Sequence, residues 1–310
     1  MSLFAISGAI EAGLLFSLVA LGVYLSFRVL SFPDLTVDGS FPLGAAVTAV
    51  AIVSDVNPYL ATLLGTIAGG LAGLLSGYLN VRLRILNLLA GILTMVALYS
   101  INLRIMGRPN ISLYGEETVF TPFEQFLGLG IWTNCVLLLI VAIAMKLFVD
   151  WFLATEIGLA LRASGENPGM ARAQSINNGR MTLLGMTISN GLVGLAGSLF
   201  AQSQGVADVN MGIGTIVTGL AALIIGETLI GNARVAGATL GCLIGAVLYR
   251  FFIAAALSAG VLGIQAQDLN LVTAIVVAVA VVLSQARRNR SGPARPALWQ
   301  RLTRRRFQKG

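Results

Sequence analysis

Residues 130–149 read GIWTNCVLLLIVAIAMKLFV. Apolar runs of the same kind recur along the chain, at about 7–29, 41–56, 58–80, 85–104, 130–149, 181–202, 213–230, 234–256 and 268–285. Most last about 18–24 residues, the length an α-helix needs to cross a bilayer core, whereas barrel strands alternate over about 10. Only 11% of the 310 residues are charged and 56% are hydrophobic, against roughly 25% charged in a soluble domain. Such a chain cannot cover itself with a water-compatible surface. The expected fold is all-α: a polytopic membrane bundle of about 8–10 transmembrane helices over 1–286, followed by a basic tail over 287–310.

The charges that remain set the orientation. Lys and Arg near span ends mark the cytoplasmic side. Arg82 and Arg84, then Lys146, Arg162, Arg172 and Arg180, then the tail from Arg287 to Lys309, all belong there. The 105–129 segment, with Glu116, Glu117 and Glu124, is expected outside, although Arg104 and Arg108 sit at its start. Counting back by alternation puts the N-terminus outside. A basic tail after a membrane span reads as an anchor on anionic lipid, not as a nucleic-acid site. No basic region precedes the first apolar run, which reads as a retained span. Cys135 and Cys242 fall inside apolar runs and are expected as buried free thiols.

Glycine is abundant, at 36 residues, and it is ordered. Gly65, Gly69, Gly73 and Gly77 recur every four residues, as do Gly237, Gly241 and Gly245. Small residues at that spacing form a flat stripe on which another helix can pack closely in lipid. An offset of 172 maps Gly65, Gly69 and Gly73 onto Gly237, Gly241 and Gly245, and Val37-Asp38 onto Val209-Asn210. The two stripe helices run in opposite directions in this topology, which points to an inverted repeat with a transport pathway at its interface.

Several chemistries are missing. The chain has no His. Its two lysines, Lys146 and Lys309, do not follow glycine, so there is no P-loop for nucleotide hydrolysis. No paired-carboxylate or metal-ligand pattern presents itself, and no catalytic role, cofactor or metal is expected of this chain.

Polar segments interrupt the apolar ones. In LSFPDLTVDGSFPLG (30–44), Pro33, Pro42 and Gly39 argue against continuous helix. Asp34, Thr36 and Asp38 there either line a cavity at membrane depth or cap the next helix in an ordinary turn. The counterpart segment, 206–234, carries Asp208, Asn210 and Glu227. Glu227 pairs with Arg234 at the interface or serves as a gate contact. Asn87 and Asn190 are either interhelical glue or cavity-facing. Arg250, deep in an apolar run, is expected to snorkel outward.

The largest interruption is TEIGLALRASGENPGMARAQSIN, residues 155–177. Thr155 can cap a helix through Arg162. Asn167 and Pro168 have the residue types of an N-cap and first helical position. A tight break at Ser164-Gly165-Glu166 is expected between the two helices. Caps at both starts describe a compact cytoplasmic knob, over about 153–179, of a kind that docks a partner.

This loop resembles that of bacterial ABC importer permeases of the branched-chain amino acid and ribose type. Their pattern is roughly T-x-x-G-x-x-x-R-A-x-G-x-N-x-x-A-A-x-x-x-G-I. Thr155, Gly158, Arg162, Ala163, Gly165, Asn167, Ala171 and Ile176 match it, while Ser175 stands in place of a glycine. Asp34-Leu35-Thr36-Val37 is similar to a D-L-S-V-G signature in the same family, and FPDLTVDGSFPLGAAV is closer to its tryptophan/tyrosine branch. The resemblance implies a coupling helix, with Glu156, Glu166 and Pro168 beside the matching residues, seated in a separate cytoplasmic ATPase that binds ATP and Mg. It implies an extracytoplasmic solute-binding protein, a second permease copy, and residence in a bacterial inner membrane. The function implied is ATP-driven import of an amino acid, with an aromatic one favoured. A secondary transporter or channel working without an ATPase is the competing reading.

Overall fold

The computed structural model describes residues 3–123, 130–230 and 234–258. The expected span at 268–285, the basic tail, and Glu124 with the rest of 124–129 lie outside them. Ten α-helices account for nearly all of the described chain: α1 (Leu3–Val23), α2 (Val37–Val53), α3 (Pro58–Leu83), α4 (Asn87–Met106), α5 (Thr133–Ala154), α6 (Glu156–Glu166), α7 (Pro168–Ala173), α8 (Asn178–Gln204), α9 (Thr215–Ile230) and α10 (Val235–Ser258). Two three-residue strands, β1 (Asn110–Ser112) and β2 (Val206–Asp208), pair antiparallel. Seven of the helical segments are long and apolar enough to cross a membrane.

Sequence explains the ends. Asn57 accepts from the Tyr59 N–H ahead of Pro58 at the start of α3, and Asn177 accepts from Arg180 ahead of α8. Gly205 and Gly107 take left-handed backbone after α8 and α4 and stop them. The last turns of α1 widen into a π-helical segment, Tyr24–Val29, before Ser31 turns the chain at φ 54°.

The two ends of the bundle are chemically distinct. The end of α1, the end of α3, the start of α8 and the α6–α7 knob share one end: Gly165 abuts Val29 and Leu30, Gly185 abuts Leu30 and Leu161, and Gly179 abuts Val81. This is the end rich in Arg, so it is cytoplasmic. The β1–β2 pair lies at the other. Cys135 at the start of α5 approaches the Ser7 carbonyl, and Ser203 near the end of α8 bonds Glu11, so α1 begins opposite the knob, as alternation requires. Both cysteines are free and buried.

α2 and α9 are short, with 17 and 16 residues, about 25 Å each at 1.5 Å per residue. Neither spans a bilayer core alone. After α1 reaches the cytoplasmic end, residues 30–36 climb back to mid-depth, where Asp34 bonds Asn190 halfway along α8. From there α2 runs to the outer end. α9 starts beside Asp38 at the same depth and runs to the cytoplasmic end. The 172-residue offset pairs α1 with α8, α2 with α9 and α3 with α10. The packing follows it: α3 lies along α8 and α10 along α1, while α2 packs on α3 and α9 on α10. Counterparts α2 and α9 run in opposite directions from the centre, the arrangement of an inverted repeat.

One expectation on this segment is corrected. The break lies at 30–36 and not through 39–44, for α2 runs uninterrupted through Gly39 and Pro42. Pro42 removes a single backbone bond. Gly39 is a contact point, where a Cβ would come within 2.9 Å of Leu98 Cδ1 and 3.2 Å of Met95 Cα on α4.

Candidate functional site

At the centre, buried Asp34 is held from two sides. Its Oδ1 accepts from the Thr36 N–H at 2.9 Å, and its Oδ2 accepts from Asn190 Nδ2 at 2.7 Å. Asn190 Oδ1 in turn accepts from Ser40 Oγ at 2.7 Å. The amide therefore ties α8 to both the re-entrant loop and α2. Gly73 makes room for it, since a Cβ there would lie 2.7 Å from Asn190 Cβ. Four residues on from Asp34, Asp38 sits in the first turn of α2 and reaches across to α9. Its carboxylate accepts from Ile216 N–H at 2.7 Å and Gly214 N–H at 3.3 Å. One carboxylate thus lies at the N-terminal ends of two half-length helices from opposite repeats, where the helix dipoles favour negative charge.

The other polar residues singled out in the sequence lie away from this cluster. Asn87 opens α4 near the cytoplasmic end and accepts from Asn80 Nδ2 at 2.6 Å. Asn210 is exposed in the 3-10 turn after β2, where its N–H bonds Asp208. Two expectations are corrected. Glu227 pairs with Arg28, and not with Arg234, through Nε and Nη2, both at 2.6 Å. Arg250 does not snorkel outward. Its guanidinium lies 3.9 Å from the centre of the Phe16 ring, and Phe16 packs with Phe41 and Phe200. Arg28 went unnoticed because its partner is 199 residues away.

The glycine stripes are contact surfaces. Gly65 and Gly69 face Gly194 on α8, and Gly73 faces Met186 and Asn190. Gly241 and Gly245 face Gly226 and Ala222 on α9, and Gly237 is half-buried in the first turn of α10.

The knob folds as a helix, a sharp turn and a second helix. Thr155 Oγ1 accepts from Gly158 N–H at 3.2 Å, and Asn167 Oδ1 accepts from Met170 N–H at 3.0 Å. The turn falls on Asn167, later than expected, because α6 continues through Ser164, Gly165 and Glu166. Gly165 is glycine for proximity: any Cβ would collide with the Val29 carbonyl oxygen. Gly158 is similarly pressed against Phe152 and Leu153. Ser175, where the family pattern has glycine, holds φ at 62°, the left-handed backbone that glycine adopts without strain. Leu161, Ser164 and Ala171 are buried beneath the knob, while Glu156, Ile157, Leu159, Arg162, Ala163, Glu166, Pro168 and Met170 remain exposed.

A model of the permease component of branched-chain amino acid transport systems matches residues 5–285. The chain belongs to this permease family. It is 42% identical over 264 residues to a tyrosine transport system permease protein of Clostridioides difficile (strain R20291), covering 85% of this chain and 86% of that one. It is also 36% identical over 279 residues to an uncharacterized protein of Rickettsia prowazekii (strain Madrid E), covering 88% and 95%. No solved structure matches significantly. The permease is thus a multi-pass membrane protein and one component of a transport system.

Asp38 yields a prediction. Asp38→Ala leaves two half-buried N–H groups at the head of α9 without their acceptor, a loss of about 1–2 kcal/mol for a helix cap. Transport by the permease should fall while the cytoplasmic knob keeps its fold. Uptake assays beside limited proteolysis of the knob check this, and unchanged uptake would place the pathway elsewhere.

Proposed function

We propose that this permease carries an aromatic amino acid, tyrosine foremost, into the cell, driven by ATP hydrolysis in a separate cytoplasmic subunit docked on the knob. The observation that carries the reading is the 42% identity to a tyrosine transport permease across 85% of the chain. The knob supplies the physics. A lever transmits force only if it does not bend, and this one is capped at both starts and pressed onto the bundle by Gly158 and Gly165. Its outward face mixes charge with exposed Ile157, Leu159 and Met170, a combination suited to a protein groove. ATP and Mg belong to the docked subunit. A second copy of this chain completes the pathway, and a solute-binding protein delivers substrate at the opposite end, where Tyr114, Glu116 and Glu117 stand exposed by β1.

Asp34, Thr36, Asp38 and Asn190 form the part of the pathway that changes shape. Asp34 and Asp38 are held by N–H groups of the re-entrant loop, α8 and α9. The test is purification of the tagged chain from its native membrane, followed by reconstitution with whatever co-purifies. An ATP-hydrolysing partner and ATP-dependent tyrosine uptake, competed by phenylalanine and tryptophan more than by leucine, are expected. Uptake by the chain alone, driven by an ion gradient, would overturn the proposal.

A further inference from the structure

The described residues hold two ion pairs. Lys146–Asp150 lies within α5, so Arg28–Glu227 is the one that joins separate elements. It is bidentate, with the Glu227 side chain 15% exposed and that of Arg28 43% exposed. Such a fork-to-fork pair fixes direction as well as distance.

Its position is what matters. Arg28 belongs to the π-helical end of α1, and the next two residues, Val29 and Leu30, are the backbone on which Gly165 of the knob rests. Glu227 stands in the last turn of α9. The first turn of α9 is bound by Asp38 at the centre of the bundle. A continuous line therefore runs from the knob through the π turn and the ion pair, along one rigid half-length helix, to the carboxylate at mid-membrane. π turns are locally widened helix, often found at functional sites, and here one sits where the line changes element.

We propose that the Arg28–Glu227 pair is the strut that carries movement of the knob to α9, and so to the centre of the permease. The inference rests on the reading of the knob as an ATPase dock. An element that communicates between two sites must shift in response to both. α9 is tied at one end to the knob's seat and at the other to the central cluster.

The experiment uses the complex that co-purifies with the wild-type chain, reconstituted in liposomes, with tyrosine uptake and ATP hydrolysis measured side by side. Arg28→Glu and Glu227→Arg should each lower uptake per ATP hydrolysed by about tenfold, within the usual range of inter-site coupling. The double exchange, Arg28→Glu with Glu227→Arg, should recover uptake to within about threefold of wild type, because two contacting groups do not act additively. A purely structural role would lower assembly and hydrolysis together and leave their ratio to uptake unchanged. If a single exchange fails to assemble, Arg28→Lys keeps the charge but loses the fork, and should still lower uptake per ATP. Wild-type coupling in the single variants, or a double variant no better than either single, overturns the strut. If the wild-type chain brings down no ATPase, the docking reading falls first and the strut falls with it.

Discussion

Gly165→Leu should abolish most substrate uptake while leaving the permease inserted, folded and able to reach the membrane. The reason is steric and local. In the present packing a Cβ on residue 165 would overlap the Val29 carbonyl oxygen and come within 3.0 Å of Leu30 Cα. Both are backbone, so no side-chain rotation relieves the clash, and overpacking of this kind costs about 1–3 kcal/mol. The knob is the smaller body and bears the adjustment: α6 must lift off the end of α1. Its own caps at Thr155 and Asn167 are untouched, so it stays helical but is no longer braced. With an ATPase docked on the knob as proposed, its hydrolysis should then continue with uptake reduced by about tenfold or more, the scale of a lost inter-site coupling. Gly169→Ala in α7 is the contrast, since its Cβ would meet only Asn167 Oδ1 at 3.4 Å and should leave uptake near wild type. Uptake and hydrolysis measured together decide the matter. Normal uptake by Gly165→Leu would mean that the knob does not bear on α1 during transport.

Gly165 also shows what could and could not be read from the sequence. The caps at Thr155 and Asn167-Pro168 are local signals, set within three residues, and the structure has both. The apolar runs give the helices within a few residues for the same reason. Glycines inside helices were harder. By sequence alone Gly165, and Gly39 beside Pro33 and Pro42, suggest breaks, since glycine weakens a helix in water. In this bundle both are helical, and both are places where another backbone or side chain comes too close for a Cβ. The period of the Gly65–Gly77 stripe announces a face, whereas a lone glycine carries no period. The half-length of α2 and α9 was only partly legible. Asp34 and Asp38 marked an interruption, but their partners, Asn190 and the head of α9, are more than 150 residues away. For Glu227 the sequence offers Arg234, seven positions on, as a partner beside a gate role, because local partners are the only ones a sequence displays. Arg250 was sent outward for want of a visible partner, and the ring of Phe16 serves instead.

The second large effect is on stability. In Gly69→Leu the new side chain would start from a Cβ only 2.5 Å from the Asn190 carbonyl oxygen and 2.8 Å from Gly194 Cα. The contact is reciprocal, for a Cβ on Gly194 would lie 2.9 Å from Gly69 Cα. The backbones of α3 and α8 therefore touch, and neither can be displaced without moving a whole helix. In lipid this matters more than it would in water. Helix association there depends on close packing, because the tails offer the separated helices an equally apolar surround. A loss on the order of 3 kcal/mol follows from forcing bulk into so tight a contact. The damage also reaches function, because it bears on Asn190, whose side chain ties Asp34 to Ser40. Gly70→Ala, one residue along, offers a matched comparison: its Cβ would lie 3.3 Å from the Thr187 carbonyl oxygen, a distance that a slight shift accommodates. Thermal unfolding in detergent, followed by tryptophan fluorescence, should show Gly69→Leu melting several degrees below wild type and Gly70→Ala close to it. Identical midpoints for Gly69→Leu and wild type would mean that α3 and α8 are not in backbone contact in the membrane. The central cluster would then lose the wall against which Asn190 is set.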